Sequence, residues 1–415
     1  MIRFLIIFQL SPLLFGQKIF EEFEKEKNNK YYYKETYRFN KIPDNGSYTI
    51  LFEGIEGDIK VRGHAGAGTE ITITRKIRAT TEKKAKRLVS DSKILVYHLE
   101  DDQLIQVRSN KKNHYKRGVN TEFELKLPMN INLNLKTDGG DIDVTDIRGE
   151  SIFRTSGGDF DLKNMIGRIE ARTSGGDIEV SRVEGLIRVH TSGGDIEIVN
   201  SDGQFNVSAS GGDLEFLHLS GNIDAQTSGG SITLKNIEGK SVGCRTSGGD
   251  IRAEDISANI TGQTSGGEIN LKSINGFVNV TTSGGDIIAE KITGSLTCHT
   301  SSGNIDGDEI IGLVDASTTA GNIEIELSYD SSIKEYSFNL ETQSGDIFTL
   351  VPKGIPVNID AEILGETAVH DNLNSDIPLN ISLTGNRITG VGQNQNGIIP
   401  LRLRTTYGVI TIEQE

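Results

Sequence analysis

The sequence predicts an all-β protein whose central part is a parallel β-helix, a solenoid built from 18-residue rungs. Three observations point to this class: one short phrase recurs at a fixed interval, apolar residues alternate with polar ones inside each interval, and glycine is abundant, with 48 of 415 residues. A chain of this length exceeds one ordinary globular core, so a fold that grows along an axis is favoured.

The recurring phrase is Thr-Ser-Gly-Gly-Asp followed by an aliphatic residue. Its first position returns every 18 residues, with one interval of 19. Sustained self-similarity at one short period is typical of a solenoid, in which no unit buries its apolar face without neighbours. The positions that begin the phrase or its variants are Thr137, Thr155, Thr173, Thr191, Ala209, Thr227, Thr246, Thr264, Thr282, Thr300 and Thr318.

Within one unit, the apolar positions indicate two short strands. Aliphatic residues alternate with polar ones over residues 178–180 and again over 187–191, with turns between them. A left-handed hexapeptide coil would need an aliphatic residue every six positions. Six and twelve positions after Ile178, however, the residues are Glu184 and His190. Because crossovers between parallel strands are overwhelmingly right-handed, we predict a right-handed coil.

The phrase itself is predicted to build a corner. Its threonine has the parity of the apolar residues, and Ala209 replaces it once, so we expect a small inward side chain whose hydroxyl bonds to the neighbouring rung. The two glycines would supply either positive φ or close backbone approach where the chain reverses. The aspartate that follows would accept hydrogen bonds from amides of the turn.

Four segments are predicted along the chain. Residues 1–16 resemble a secretory signal peptide, with one early Arg, an apolar run and a small residue, Gly16, before the cleavage point. An uncleaved anchor is the alternative, although the run is shorter than the roughly 20 residues that span a bilayer. Residues 17–136 are predicted to form an N-terminal α+β cap region with one helix at about 82–95, which begins after Thr81. The β-helix repeats follow over 137–346, and C-terminal strands or a cap over 347–415.

Charge is divided unevenly between the two parts of the chain. Residues 137–415 hold 41 acidic and 18 basic residues. This acidity argues against nucleic acid as a partner of the repeats, since phosphate binding needs a basic face. The basic stretch "KKNHYKRG", 111–118, is interpreted as a solvated hairpin tip between two strands, and polyanion binding is the alternative.

The outward carboxylates of the phrase form an acidic column along the predicted stack. Carboxylates about 5 Å apart repel by roughly 1 kcal/mol in water, which a solvated face tolerates without a metal. Calcium binding is the alternative because carboxylate oxygens are its preferred ligands. We favour the solvated face and expect no cofactor; the candidate calcium ligands are Asp159, Asp177, Asp195 and Asp213.

The remaining residue types give no catalytic set. Cys244 and Cys298 lie three rungs apart, too far for a disulfide, so we expect buried free thiols. Polysaccharide-cleaving β-helices place carboxylates in a groove walled by long loops. Here the turns are uniform and the insertion at 328–336 is short, so we expect no enzyme.

Several phrases together resemble the bacterial putative-adhesin family, a strand-repeat domain of unknown function. They are an early "GIEGDIKV", the strand pair "LKLPMNINLNLKT", serial "TSGGDIEV" units and a final "LRTTYGVITI", and the resemblance covers about residues 45–415. It implies a β-helix and a cell-surface or periplasmic setting, and it supplies no catalytic residues.

We therefore interpret the chain as a non-enzymatic protein that is secreted, periplasmic or held at the cell surface. It would act as an adhesin or scaffold that binds an unidentified protein or glycan through a face of the β-helix or through a cap. A glycan-binding module without catalysis is the first alternative, and a polysaccharide-cleaving β-helix enzyme is the second. No transmembrane span is expected in the mature chain.

Overall fold

The fold is all-β in the part of the chain that the computed structural model describes, residues 14–15, 17–26, 29–109, 118–365 and 370–415. This part contains one α-helix and one short 3₁₀-helix among its strands. The chain divides into two compact units, Met1–Gly203 and Gln204–Glu415. The signal peptide predicted for 1–16 lies outside the described residues, except for Leu14 and Phe15.

The first unit contains the helix and the first group of strands. Its elements in chain order are β1 (Leu14–Phe15), β2 (Gln17–Lys25), β3 (Lys30–Phe39), β4 (Thr49–Ile55), β5 (Asp58–His64), β6 (Thr69–Arg78), α1 (Glu82–Asp91), β7 (Ile94–Leu99), β8 (Leu104–Ser109), β9 (Val119–Pro128), β10 (Asn132–Thr137), β11 (Ile142–Thr145), β12 (Arg148–Arg154), β13 (Phe160–Lys163), β14 (Ile166–Arg172), β15 (Ile178–Ser181), β16 (Glu184–Thr191) and β17 (Ile196–Ala209), within which the division falls.

The helix starts where the sequence predicts. The Thr81 hydroxyl accepts a hydrogen bond from the Lys84 amide at 3.3 Å, which satisfies one of the free amides of the first turn. The helix ends at Asp91, before the predicted limit near residue 95. Its one fully buried side chain, Ala85, packs with Tyr31 and Ile77.

Parallel strands of the first unit form two stacks. The first stack runs β8, β4, β10, β12, β14, β16, and the second runs β9, β5, β11, β13, β15, β17. From β10 onward, paired residues are 18 positions apart, as in Ser151 and Ile169. Strands β4 and β5 lie out of chain order, between β8 and β10 and between β9 and β11. The parallel stacking thus includes strands that precede residue 137.

Antiparallel strands flank these stacks at their N-terminal end. Strand β7 pairs with β8 and with β1, while β6 pairs with β9, β3 with β6, and β2 with β3. Strand β8 thus pairs with β4 and β7, and β9 pairs with β5 and β6, so within the described residues β8 and β9 do not pair with each other. The hairpin predicted between these two strands, around 111–118, is wrong, and residues 110–117 themselves lie outside the described part.

The second unit is built from longer strands. Its elements in chain order are β18 (Leu214–Gln226), β19 (Ile232–Arg245), β20 (Ile251–Gln263), β21 (Ile269–Thr281), β22 (Ile287–Thr300), β23 (Ile305–Ala320), β24 (Ile323–Leu327), β25 (Ser337–Ser344), β26 (Ile347–Val351), β27 (Val357–Leu364), the 3₁₀-helix (His370–Asn372), β28 (Leu373–Ser375), β29 (Leu379–Thr384), β30 (Arg387–Gln393), β31 (Ile399–Tyr407) and β32 (Ile410–Gln414).

Strands β18 to β23 pair in parallel and in chain order. The single 19-residue interval of the sequence is absorbed within β19, where the register with both neighbours shifts around Gly239–Ser241. Such a bulge leaves one extra residue unpaired and restores the register beyond it. The repeat period therefore changes without displacing the buried column on either side.

The C-terminal strands of the second unit are stacked out of chain order. Strand β31 lies between β25 and β27, and β32 lies between β26 and β28, all in parallel. Strand β30 then pairs antiparallel with β27, and β29 pairs antiparallel with β30. The final phrase "LRTTYGVITI", predicted to be a closing or continuing strand, thus forms a layer inside the stack.

Alternation of buried and exposed residues supplies the core in both units. In the first unit Ile178, Val180, Ile187 and Val189 are each at most 2% exposed, as their parity predicts. The same alternation runs through β20 of the second unit, where Ile251 is fully buried and the residue that follows is exposed. Each short strand therefore buries one face, which explains how a chain with few apolar residues maintains a continuous core.

Candidate functional surfaces

The recurring phrase forms what we call the glycine corner of each layer, and its threonine points inward as predicted. In the first unit the Thr155 hydroxyl donates to the Gly140 carbonyl at 2.9 Å and accepts from the Gly158 amide at 3.3 Å. It therefore ties its own corner to the preceding one. The threonines at this position that donate to a glycine carbonyl of a neighbouring layer are Thr137, Thr155, Thr173 and Thr191 in the first unit, and Thr227, Thr246, Thr264, Thr282, Thr300, Thr318, Thr342 and Thr405 in the second.

The second glycine of the phrase is required by close backbone approach. A Cβ atom built on Gly176 would lie 2.0 Å from the Gly158 carbonyl oxygen, which no side chain can tolerate. A Cβ on the first glycine, Gly175, would meet nothing nearer than 3.9 Å. Neither residue has positive φ. Of the two roles that the sequence left open, close approach is the correct one.

The aspartate of the phrase bridges successive layers. The Asp177 amide donates to Asp159 Oδ1 at 2.9 Å, and the Asp195 amide donates to Asp177 Oδ1 at 2.8 Å. In the second unit the Ser231 amide donates to Asp213 Oδ1 at 2.7 Å. The predicted acceptor role is thus confirmed, and the amides that it satisfies belong to the next layer.

These contacts place the candidate calcium ligands. Asp159, Asp177 and Asp195 follow one another in the column of the first unit, whereas Asp213 belongs to the second. One carboxylate oxygen of Asp159, of Asp177 and of Asp213 already accepts a backbone hydrogen bond. Across the described ranges, no group of three or more His, Cys, Asp or Glu side chains is arranged to hold a metal ion.

Both cysteines are buried free thiols, as predicted. Burial raises the pKa of Cys244 and of Cys298 to about 12, because the core solvates a thiolate poorly. Thiols that remain protonated at neutral pH are poor nucleophiles. They fill space in the inward column.

A second corner of each layer, which we call the left-handed corner, was missed by the sequence reasoning. Its residues have φ between 51° and 63° although none of them is glycine. Most are followed three positions later by a glycine that itself has positive φ. They are Asp146, Asn164, Arg182 and Asn200 in the first unit, and His218, Asn236, Asp255, Ser273, Lys291 and Glu309 in the second.

A buried ion pair anchors the helix of the first unit. Arg75, on the inward face of β6, donates to Glu35 Oε1 at 2.6 Å, and both side chains are almost fully buried. Its other amino group donates to the Val89 and Ser92 carbonyls at 3.1 and 2.7 Å, at the C-terminal end of α1. A cation at this end complements the helix dipole. The only signal in the sequence is that Arg75 has the parity of Ile73.

Two clefts of opposite charge lie among the described residues of the first unit. One, of about 310 Å³, is lined by Glu56, Asp58, Asp91 and Asp138 together with turn glycines and Asn120. Burial, and then the neighbouring Asp141 carboxylate, raises the pKa of Asp58 despite the hydrogen bond from the Asp141 amide. The neighbouring carboxylates of this acidic cleft thus disfavour the ionised form of Asp58.

The second cleft, of about 430 Å³, is basic. It is lined by side chains of β3 and β6 and by the start of β9: Lys30, Tyr31, Tyr32, Lys76, Ile77, Arg78, Gly118 and Asn120. Three lining residues are cations and none is an acid. Neither cleft was predicted, because strands that are distant in the chain bring their residues together.

The second unit exposes apolar side chains at two kinds of position. The aromatic residues Phe277 and Tyr407 are 63% and 61% exposed. On β29, Ile381 and Leu383 are exposed as well, and within the described residues this strand pairs with β30 alone. Exposed apolar groups of this size are candidates for contact with a partner.

Comparison with known proteins identifies the family. No curated protein sequence matches the chain. Separately, none of the described helices has the length and apolarity needed to cross a bilayer. A solved structure described as a putative cell adhesion protein from Clostridium sporogenes matches 92% of this chain and 100% of its own length, at 11% identity and a TM-score of 0.18. The family model described as Toastrack DUF4097 matches residues 59–218 and 200–308, which together exceed half of the chain. The chain therefore belongs to the Toastrack DUF4097 family, whose fold is β-solenoid-like.

Proposed function

We propose that this chain is a non-enzymatic protein of the cell envelope or cell surface, exported by its N-terminal segment, and that it acts as an adhesin or scaffold. One observation carries the proposal: the residues that recur in every layer are used to join layers, as Thr173 and Asp177 are. The repeated residues thus stabilise the stack of layers. Contact with a macromolecular partner is therefore made by the variable outward residues and by the ends of each unit.

The finer features of the fold belong to the same proposal. The pairing of residues 18 positions apart supports rungs of 18 residues, and the general bias of parallel crossovers supports a right-handed coil. The antiparallel strands and α1 before residue 137 suit an N-terminal cap, because a solenoid must cover its terminal layers.

Cell fractionation tests the location. The full chain with a C-terminal epitope tag should be found in the envelope or the medium, and a variant that lacks residues 1–16 should remain in the cytoplasm. Surface location is then read from protease treatment of intact cells. A full-length protein confined to the cytoplasm would contradict the proposal.

Adhesion is the second test. Cells that express the chain should adhere to a matched surface or cell type more than cells that lack it, and the purified full chain should compete with them. Equal adhesion by both strains on every surface would remove the adhesin role and leave that of a scaffold.

A glycan-binding module without catalysis is the second candidate, favoured by the exposed rings of Phe277 and Tyr407. Exposed aromatic rings offer flat apolar faces to a ligand and suit a wet interface. Retention on peptidoglycan or insoluble polysaccharide, reduced in Phe277→Ala, would support it. Retention of neither protein would exclude it, and release of reducing sugar would instead reveal an enzyme.

A further inference from the structure

The basic cleft of the first unit lies at one end of the sheet formed by β3, β6 and β9. Lys30 begins β3 and Arg78 ends β6, and the Arg78 amide donates to the Gly118 carbonyl at 2.8 Å. The Lys30, Lys76, Arg78 and Asn120 side chains are exposed, whereas Tyr32 is half-buried. The cleft therefore has a hydrogen-bonded backbone floor and exposed cations at its rim.

Two of these cations stand directly opposite each other. Lys30 pairs with Arg78 across the antiparallel β3–β6 ladder, and Tyr32 pairs with Lys76 two residues further along the same face. Like charges in directly opposed positions destabilise a sheet. Among the described residues, no ion pair joins Lys30 or Arg78 to a carboxylate. An arrangement that costs stability and lacks a protein counter-ion suits an external anion.

Acidic residues border the cleft without lining it, among them Glu24, which pairs with Tyr32 across the β2–β3 ladder. Glu122 accepts a hydrogen bond from Lys76, and this contact raises the pKa of Lys76. Glu122 is not among the lining residues, and neither is Glu26, whose amide donates to the Lys30 carbonyl. Two of the three lining cations are thus available to a ligand without first breaking an ion pair.

We propose that this cleft binds the charged sugar units of an acidic polysaccharide. The Arg78 guanidinium has the planar donor pair that matches a carboxylate, and Lys30 supplies a second charge beside it. Tyr32 offers a ring face to the sugar, and the Asn120 amide can donate to and accept from sugar hydroxyls. The inference goes beyond the proposed envelope role, because the cleft would bind such a polymer wherever the chain is located.

Binding of the full chain to polygalacturonate, measured by titration calorimetry, tests the proposal, with neutral dextran as the comparison polymer. Lys30→Gln and Arg78→Gln should each weaken binding about fivefold, and the double variant about twentyfold, since each removes one partly screened charge contact. Binding should also weaken as NaCl is raised, as charge contacts between exposed groups do. Glu122→Gln should strengthen binding, because it frees Lys76.

Lys34→Gln is the matched control, because Lys34 lies on the same strand and face as Lys30 but outside the cleft. It changes net charge equally and should bind like the natural protein. Equal losses in Lys34→Gln and Lys30→Gln, or no loss in the double variant at an unchanged melting temperature, would overturn the proposal. So would absence of binding to polygalacturonate, equal binding to dextran, or tighter binding to duplex DNA, which would place the ligand in another class.

Discussion

At the glycine corner of each layer the same side-chain and backbone contacts recur, whereas the left-handed corner shares a positive φ but not one set of side-chain contacts. Its layers are joined by side chains at some positions, as where the Asn164 side-chain amide donates to Asp146 Oδ1 at 3.1 Å. The first corner needs a hydroxyl, a missing Cβ and a side-chain acceptor at fixed positions. The second places a residue with φ near 55° in each layer, and Asn, Asp, Arg, His, Ser, Lys and Glu all occupy that position.

This difference explains why one corner is visible in the sequence and the other is not. A corner held by hydrogen bonds and steric contact restricts residue identity, and so it leaves a repeated phrase. A corner that shares a positive φ restricts conformation, at a cost of roughly 1–2 kcal/mol for a residue other than glycine, and it leaves residue identity nearly free. Substitutions at the two corners should therefore differ in size and in direction.

The largest effect is expected from adding a side chain to the second glycine of the glycine corner, where the backbone of the neighbouring layer leaves no space for a Cβ atom. Gly176→Ala would place a Cβ 2.0 Å from the Gly158 carbonyl oxygen, so two layers must separate. We expect a loss of about 3 kcal/mol or more in the free energy of unfolding of the first unit. Urea unfolding and the melting temperature measure it.

Gly175→Ala is the matched control, since its Cβ would meet no atom nearer than 3.9 Å. It should leave stability nearly unchanged. If both variants lost stability equally, the requirement at this corner would be for backbone flexibility rather than for space.

Removing the hydroxyl at the same corner should have the next largest effect. Thr173→Val keeps the shape but leaves the Gly158 carbonyl and the Gly176 amide without their partner, at 3.0 and 3.2 Å in the intact corner. A loss of about 2 kcal/mol is expected for these buried groups. Thr173→Ser keeps the hydroxyl and should lose less than half as much; an equal loss would show that packing of the methyl group dominates.

At the left-handed corner the expected effects are smaller and can be favourable. Ser273 has φ of 56°, and Asn tolerates this region better than other residues with a Cβ. Ser273→Asn should therefore raise the free energy of unfolding by about 0.5 kcal/mol, which raises the melting temperature slightly. Ser273→Val should lower stability by about 1 kcal/mol, because a β-branched residue is strained there. A gain in the Val variant would show that the dihedral angles do not limit this corner.

Local sequence patterns were sufficient to predict much of the structure. The inward threonines, the buried thiols of Cys244 and Cys298, and the start of α1 at Thr81 all follow from local patterns, in which a residue's neighbours in the chain fix its environment. The acceptor role of Asp177 also follows, because a carboxylate beside a turn has few other donors to choose from.

The rest depends on contacts between distant segments. The order of β4 and β5 within the stacks, and of β31 and β32, cannot be read from chain order, since any strand with the right alternation fits any layer. Arg75 looks like one more residue of a strand until Glu35 and the end of α1 meet it. The basic cleft combines β3, β6 and β9 in the same way.

A further small effect, of less than about 1 kcal/mol, tests what the glycine corner requires of its acceptor. The Asp58 carboxylate accepts a hydrogen bond from the Asp141 amide at 3.2 Å, and its pKa is raised by burial and by the neighbouring carboxylates. In the second unit Asn serves as the acceptor at the equivalent position, where the Asn322 amide donates to Asn304 Oδ1 at 2.9 Å. Asp58→Asn should therefore keep the bond and remove the charge.

The raised pKa fixes the direction of the pH dependence. A carboxyl group whose pKa is higher in the folded than in the unfolded chain costs stability once it ionises, and this cost disappears as pH falls below the unfolded value near 3.9. Asp58→Asn should thus be more stable than the natural protein at pH 7, by less than about 1 kcal/mol because the group is partly solvated. The difference should vanish near pH 3. A variant that is less stable at pH 7 would show that this corner needs the negative charge and not merely an acceptor oxygen.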